Sequence, residues 1–205
     1  MGLSLPRKFY IRKTLTVAKE LLGKYLVRKI DNHKLIGKIV ETEAYIGPQD
    51  RASHAYRGRI TERCKTEYLI GGHIYIYLCY GMYWQLNITT EKEGKPECVL
   101  IRALQPVQGT FKSNIGEKYK GEKIFHQLKN IANGPGKLTR WLKLDKSFNG
   151  EDITKSKRIW IEDRGEKVSE KQIVAAKRIG IDYAGKWKNK LWRFYIKDNE
   201  FISKK

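Results

Sequence analysis

Apolar and polar positions alternate through much of the chain, with short stretches of helical spacing near its start and beyond its middle. Residues 14–22 place Leu15, Ala18 and Leu22 at i, i+3 and i+7, the spacing of a short amphipathic helix, and Gly23 is its stop. Residues 24–30 and 35–46 read as strands around an Asp31-Asn32 turn. Thr61 is placed to cap a short helical piece ending near Gly71-Gly72. Residues 73–80 and 83–89 predict paired strands across Tyr80-Gly81-Met82, a hairpin, and 98–104 a further apolar strand stopped by Pro106. After a Lys- and Gly-rich stretch, Ile124, Leu128 and Ile131 regain helical spacing, and Asn133-Gly134-Pro135-Gly136-Lys137-Leu138 predicts a turn feeding a helix through Trp141 and Leu142. A short strand at 158–162 and strand-like patterning at 173–180 and 191–196 complete the chain. There is no internal repeat and no βαβ alternation. The expected architecture is one α+β domain over residues 1–205, an antiparallel sheet with flanking helices and a protruding hairpin.

Composition narrows what such a domain can do. At 205 residues the chain has the length of a single domain with one core. No apolar run approaches the ~18 residues of a membrane span. The N-terminus lacks the apolar segment of a signal peptide, so the chain is expected in the cytoplasm with the nucleoid, or in a nucleus, and not outside the cell. Cys64, Cys79 and Cys98 have no C-x-x-C spacing, and the histidines form no H-E-x-x-H pair, so neither metal nor cofactor is expected. Charge changes the picture most. With 42 Lys and Arg against 22 Asp and Glu, the formal net charge is +20, a field that draws phosphate polyanions or acidic membrane surfaces. The 12 Tyr, 6 Phe and 5 Trp beside that charge suit base stacking.

The candidate chemistry sits on three strands and one loop. In 39–46, alternation puts Glu41, Glu43 and Tyr45 on one face and Val40, Thr42 and Ala44 on the other. Two readings are open: both carboxylates face solvent beside the abundant Lys and Arg, or one is recessed and holds a water or a proton next to an aromatic platform. Tyr75 and Tyr77 share a face of the next strand, with Tyr80 on the other face or at the bend, either as ordinary sheet packing or as stacking and wedging groups. His54 lies in a basic, turn-rich loop, and Asn87 points opposite Leu86 and Ile88, as a bridge between strands or part of a pocket. A non-catalytic nucleic-acid-binding module would need only the charge and the aromatics. A carboxylate among those aromatics argues for chemistry instead, and a metal-dependent nuclease lacks its clustered ligands.

The particular residues go further than their spacing. Glu43-Ala44-Tyr45 with Gly47-Pro48, His54, Tyr75-Ile76-Tyr77, Tyr80-Gly81-Met82-Tyr83, Asn87, and Leu100-Ile101-Arg102-Ala103-Leu104 with Pro106 occur in an order and spacing that resembles the alkyladenine (methylpurine) DNA glycosylases. Gly134-Pro135-Gly136-Lys137-Leu138, and Arg178-Ile179-Gly180-Ile181-Asp182-Tyr183-Ala184-Gly185 with Trp187, extend the likeness over nearly the whole chain. The resemblance implies a monofunctional base-excision repair enzyme that flips a damaged purine out of double-stranded DNA and hydrolyses its N-glycosidic bond. Its implied substrates are 3-methyladenine, 7-methylguanine, hypoxanthine and ethenoadenine, handled by a monomer without cofactor, metal or membrane. It implies Glu43 as the base that activates water, and Tyr45, His54 and Tyr77 as pocket walls. Asn87 is implied as the gatekeeper of the pocket floor, where it would conflict with the 2-amino group of guanine. Tyr80 is implied to fill the space left in the duplex, and Arg102, Lys137 and Lys146, with Arg59 beside them, to hold the phosphate backbone. Two positions depart from the family pattern. Thr61-Glu62-Arg63-Cys64 stands where Thr-x-Arg-Asn is usual, and Glu67 occupies a position that is usually apolar.

Overall fold

The structure, a computed structural model, describes residues 2–107 and 128–204. Its strands are β1 (Leu3–Ser4), β2 (Tyr25–Ile30), β3 (His33–Ile46), β4 (Ile74–Cys79), β5 (Tyr83–Thr89), β6 (Glu97–Pro106), β7 (Ile159–Asp163), β8 (Ile173–Ala176) and β9 (Arg193–Ile196). They form one sheet in the order β1-β7-β2-β3-β6-β5-β4, with β9 joined to β3 and β8 to β9, and the pairings are antiparallel. Short helices, α1 (Arg7–Tyr10), α2 (Thr14–Glu20) and α3 (Pro135–Trp141), pack against it, giving the α+β domain expected from the pattern.

β3 is where the sheet branches. Along one edge it pairs with β2 from His33 to Lys38 and then with β9 from Glu41 to Glu43; along the other it pairs with β6 from Gly37 to Ile46. The hand-over is marked by register shifts, Ile39 opposite Leu104 but Glu41 opposite Ala103, and then Thr42 opposite Ile101. Val40 is therefore an inserted residue on β3, and Arg102 one on β6. Such a bulge reverses the alternation on either side of it. The expectation that Val40, Thr42 and Ala44 share a face is corrected accordingly. Thr42 Oγ1 donates to the Ala18 carbonyl of α2 at 2.8 Å, and Ala44 joins the main core. Val40 packs instead with Ala103, Leu128, Phe201 and Ile202.

The main core lies between the sheet and the helices. From α2 it takes Val17 and Ala18, followed by Leu21 and Leu22, with Leu15 only at its margin. Gly23, at φ 82°, ends that helix in the left-handed conformation that glycine adopts without penalty. α3 seats on β5 through Gly136, where a Cβ would come within 2.9 Å of the Tyr83 ring. β4 and β5 pair from Ile74↔Ile88 to Cys79↔Tyr83, which confirms the hairpin.

Other boundaries shift. The strand expected at 173–180 stops at Ala176, because Arg178 turns inward to a buried partner rather than continuing a ladder. The piece after Thr61 is a 3-10 turn at Lys65–Tyr68. Leu128 to Ile131 are helical, while Ile124 lies outside the described residues. Among the described residues, no helix is long and apolar enough to cross a membrane.

Candidate active site

Both carboxylates of β3 are fully buried, so the solvent-facing reading of the pair is replaced, and their surroundings separate them. Glu41 is enclosed by donors. Its Oε1 accepts from Arg102 Nε at 3.2 Å, Arg193 at 3.0 Å and Ser203 Oγ at 2.9 Å, and its Oε2 from the Ser203 N–H at 2.6 Å. Glu43 has fewer donors around it. Its Oε1 accepts from the Ile179 N–H at 2.8 Å and faces the Arg102 guanidinium at 3.3 Å, while Oε2 accepts from the Tyr45 hydroxyl at 2.8 Å. A carboxylate oxygen offers two lone pairs, so Oε2 keeps one for a further donor.

Arg102 is a correction. Expected on the phosphate backbone, it is 7% exposed, and its guanidinium bridges Glu41 and Glu43. Its place on the β6 bulge, opposite two buried carboxylates, turns it inward. Burial works against its charge, but Glu43 and Glu41 outweigh that and raise its pKa.

Tyr45 connects Glu43 to a narrow aromatic crevice of about 10 Å³, bordered also by His54, Glu67, Tyr75, Tyr77, Asn87 and Cys98, which must widen to admit a base. The His54 and Tyr77 rings meet edge to face, with centroids 4.5 Å apart, too close to take a base between them. They form one wall together, and Tyr45 borders the same crevice. Burial, and then Arg63, depress His54 to about 4, so its imidazole is neutral at ordinary pH, with Nδ1 at 2.7 Å from the Tyr75 hydroxyl. Asn87, 2% exposed, donates both amide hydrogens to main-chain carbonyls, those of Tyr75 and Gln85, each at 3.2 Å. Its Oδ1 is left toward Cys98.

The loop that carries His54 is pinned from below. Asp50 and Arg178 form a two-pronged pair at 2.5 and 2.9 Å, and neither side chain has any solvent exposure. The same guanidinium lies 4.7 Å from the Tyr45 ring centroid and 5.1 Å from that of Trp192. It thus joins the loop, the crevice wall and the segment whose Ile179 N–H binds Glu43.

Beyond His54 the crevice adjoins a wide cleft bordered by Arg51, Arg57, Arg59, Arg63 and Tyr183. Arg59 is exposed there, with three arginines that pattern reading had not singled out. Their clustering within 51–63 was a visible sequence signal. Tyr80 is 85% exposed at the hairpin tip, at φ 51°, a conformation that costs a bulky residue strain. Met82 beside it is 66% exposed. Lys137 and Lys146 are also exposed, but border neither cavity. No cluster of three or more His, Cys, Asp or Glu side chains suited to a metal occurs among the described residues.

Residues 8–200 match the family model for methylpurine-DNA glycosylases. The chain belongs to that family. A protein of Clostridium perfringens strain SM101 is 50% identical over 206 residues, covering 98% of this chain and 99% of its own. One of Clostridium novyi is 50% identical over 204 residues, and one of Natranaerobius thermophilus is 42% identical over 201. Each bears the name 3-methyladenine DNA glycosylase. The chain is therefore a methylpurine-DNA glycosylase, an enzyme that hydrolyses N-glycosyl bonds in DNA, and a binding module without chemistry is no longer a reading of it. The glycosylase presents Glu43, Tyr45, His54, Tyr77 and Asn87 around one site, with Arg59 in the adjoining cleft. Asp50, Glu67 and Arg178 had no role in the sequence reading, since their partners lie far along the chain or across the crevice.

Proposed function

We propose that this glycosylase acts as a monomer on 3-methyladenine, 7-methylguanine, hypoxanthine and ethenoadenine, turning each out of the duplex and releasing it with a water activated by Glu43. The observation that carries the reading is the direct hydrogen bond from Tyr45, a wall of the aromatic crevice, to Glu43 Oε2. A purine stacked on Tyr45 brings its sugar toward that carboxylate. The free lone pair of Oε2 takes the proton of the attacking water, and the anion opposes the positive charge that develops at C1′. Arg102 and the Ile179 N–H hold Oε1 and so aim Oε2.

The remaining groups bear on access and choice. A base inside a duplex cannot be reached, and extruding it costs a few kcal/mol, least for damaged or mispaired bases. Tyr80 offsets part of that cost by entering the vacated space, while the arginine cleft takes up phosphates. Stacking accepts any purine face, so guanine must be refused otherwise. The Asn87 amide, locked by two main-chain carbonyls, cannot turn aside for a 2-amino group.

The decisive experiment uses a duplex with one hypoxanthine, in EDTA. Strand cleavage at that site only after alkali treatment is expected; cleavage without alkali indicates a lyase or nuclease, and an intact strand removes hypoxanthine as a substrate. A second expectation concerns Tyr80→Ala. The variant should fold normally, since the side chain touches solvent, yet lose several-fold of the flipped population as read by the fluorescence of an ethenoadenine duplex. An unaltered signal would make Tyr80 an ordinary turn residue.

A further inference from the structure

Glu67 borders the base crevice and takes no part in the steps above. It is 1% exposed, and its Oε2 accepts from Ser53 Oγ at 3.2 Å. Its Oε1 is buried and has no hydrogen-bond partner among the described residues. The turn that carries it is rigidly placed. Asn149 donates to Thr66 Oγ1 at 3.0 Å and accepts from the Ile76 N–H at 3.1 Å, tying Lys65–Tyr68 to β4. A buried carboxylate oxygen left open is costly, and it pays for itself only when something fills it.

We infer that Glu67 is a specificity-determining residue of the base site, whose open oxygen accepts an N–H from, and sets its charge against, a cationic N-alkylated purine. The inference rests on the reading of the crevice as the base site and names what that site prefers. A cationic purine meets the carboxylate edge-on and the faces of Tyr45 and Tyr77 flat-on, both attractive to positive charge. A neutral purine gains the stacking and can donate an N–H, but it has no positive charge to set against the carboxylate.

The groups around Glu67 leave it free for this role. On its own loop side, Asp50 is occupied by Arg178, and His54, 3.9 Å away, is neutral above about pH 4. From β4 and β6 come Tyr75 and Cys98, both pushed upward by burial and so uncharged. Arg63 lies 5.0 Å over the Tyr77 ring and donates to the Leu78 carbonyl. Burial pushes the Glu67 carboxyl up to about 7, with Ser53 and Tyr75 pulling it back and Asp50 adding to the rise. Glu67 is thus protonated below that pH and anionic above it, and preference for a cationic base should grow as pH rises through it. His54 and Glu67 are never charged together, since one is neutral above about 4 and the other below about 7.

The test compares single-turnover release of 3-methyladenine from dimethyl sulfate-treated DNA with release of hypoxanthine from a duplex. Wild type and Glu67→Gln are measured across pH, with Glu67→Met as a second variant that needs no buried polar partner. The ratio of the two releases should agree between wild type and both variants near about pH 6. Near about pH 8 it should be several-fold to roughly tenfold higher in wild type, following the ionised fraction. Equal ratios at the higher pH in a folded variant would overturn the inference while leaving the base site standing. Release of neither base by the wild type would instead remove the base-site reading, and this inference with it.

Discussion

Glu43→Gln should lose base release by a factor of about 10² to 10⁴, the usual worth of a positioned general base, while binding lesion DNA within a few-fold of wild type. The geometry makes the substitution clean. The glutamine carbonyl can occupy the Oε1 position and keep the Ile179 N–H and Arg102, while its amide nitrogen takes the Oε2 position. There it meets the Tyr45 hydroxyl, which can reverse its role and accept the hydrogen bond it formerly donated. What is lost is the lone pair that would take a proton from water, together with the negative charge that opposes the charge developing at C1′. Glu41→Gln has no such escape. Both of its oxygens face donors, including two arginines and the Ser203 N–H, so an amide must point hydrogens at hydrogens and withdraw charge from buried guanidiniums. It should lower the unfolding midpoint, with turnover retained in the folded fraction. Single-turnover release and thermal unfolding of both variants separate the roles. A near-normal rate for Glu43→Gln would remove it as the base.

The second large effect is on stability. Arg178→Met should cost about 3–5 kcal/mol, because it leaves the Asp50 carboxylate in the interior with no countercharge. Burial alone would depress the Arg178 guanidinium, yet hydrogen bonding and charge from Asp50 overcome this and raise its pKa, so the guanidinium stays charged. In Arg178→Met combined with Asp50→Asn the loss should be well below the sum of the single losses, since the stranded charge is then absent. The loop with His54 and the ring of Tyr45 both lean on this guanidinium. Excision should therefore fall in Arg178→Met even at temperatures where it remains folded. Denaturant unfolding of the two single variants and the double variant gives the coupling. A loss under about 1 kcal/mol for Arg178→Met would mean that Asp50 finds another partner or protonates.

Much of this enzyme was legible in its sequence, and the rest was not, for one physical reason. Turn chemistry and side-chain alternation act over a few residues. They sufficed to place the Tyr80-Gly81 hairpin, the helix ending at Gly23, the turn into Pro135–Trp141, and Glu41, Glu43 and Tyr45 along one strand. The ordered motifs sufficed to place the chain in its family. What alternation could not show was which residues meet across the fold. Val40 changes face because β3 trades one neighbour for another in mid-course, and Arg102 turns inward because the bulge opposite sets two carboxylates before it. Asp50 and Arg178 pair across 128 positions of sequence, and Glu67 acquires its open oxygen only where Ser53 and Tyr75 close around it. Burial of charge depends on partners brought by long-range strand pairing, which the tertiary structure alone decides. Local pattern reports only the face of the strand on which a charge begins.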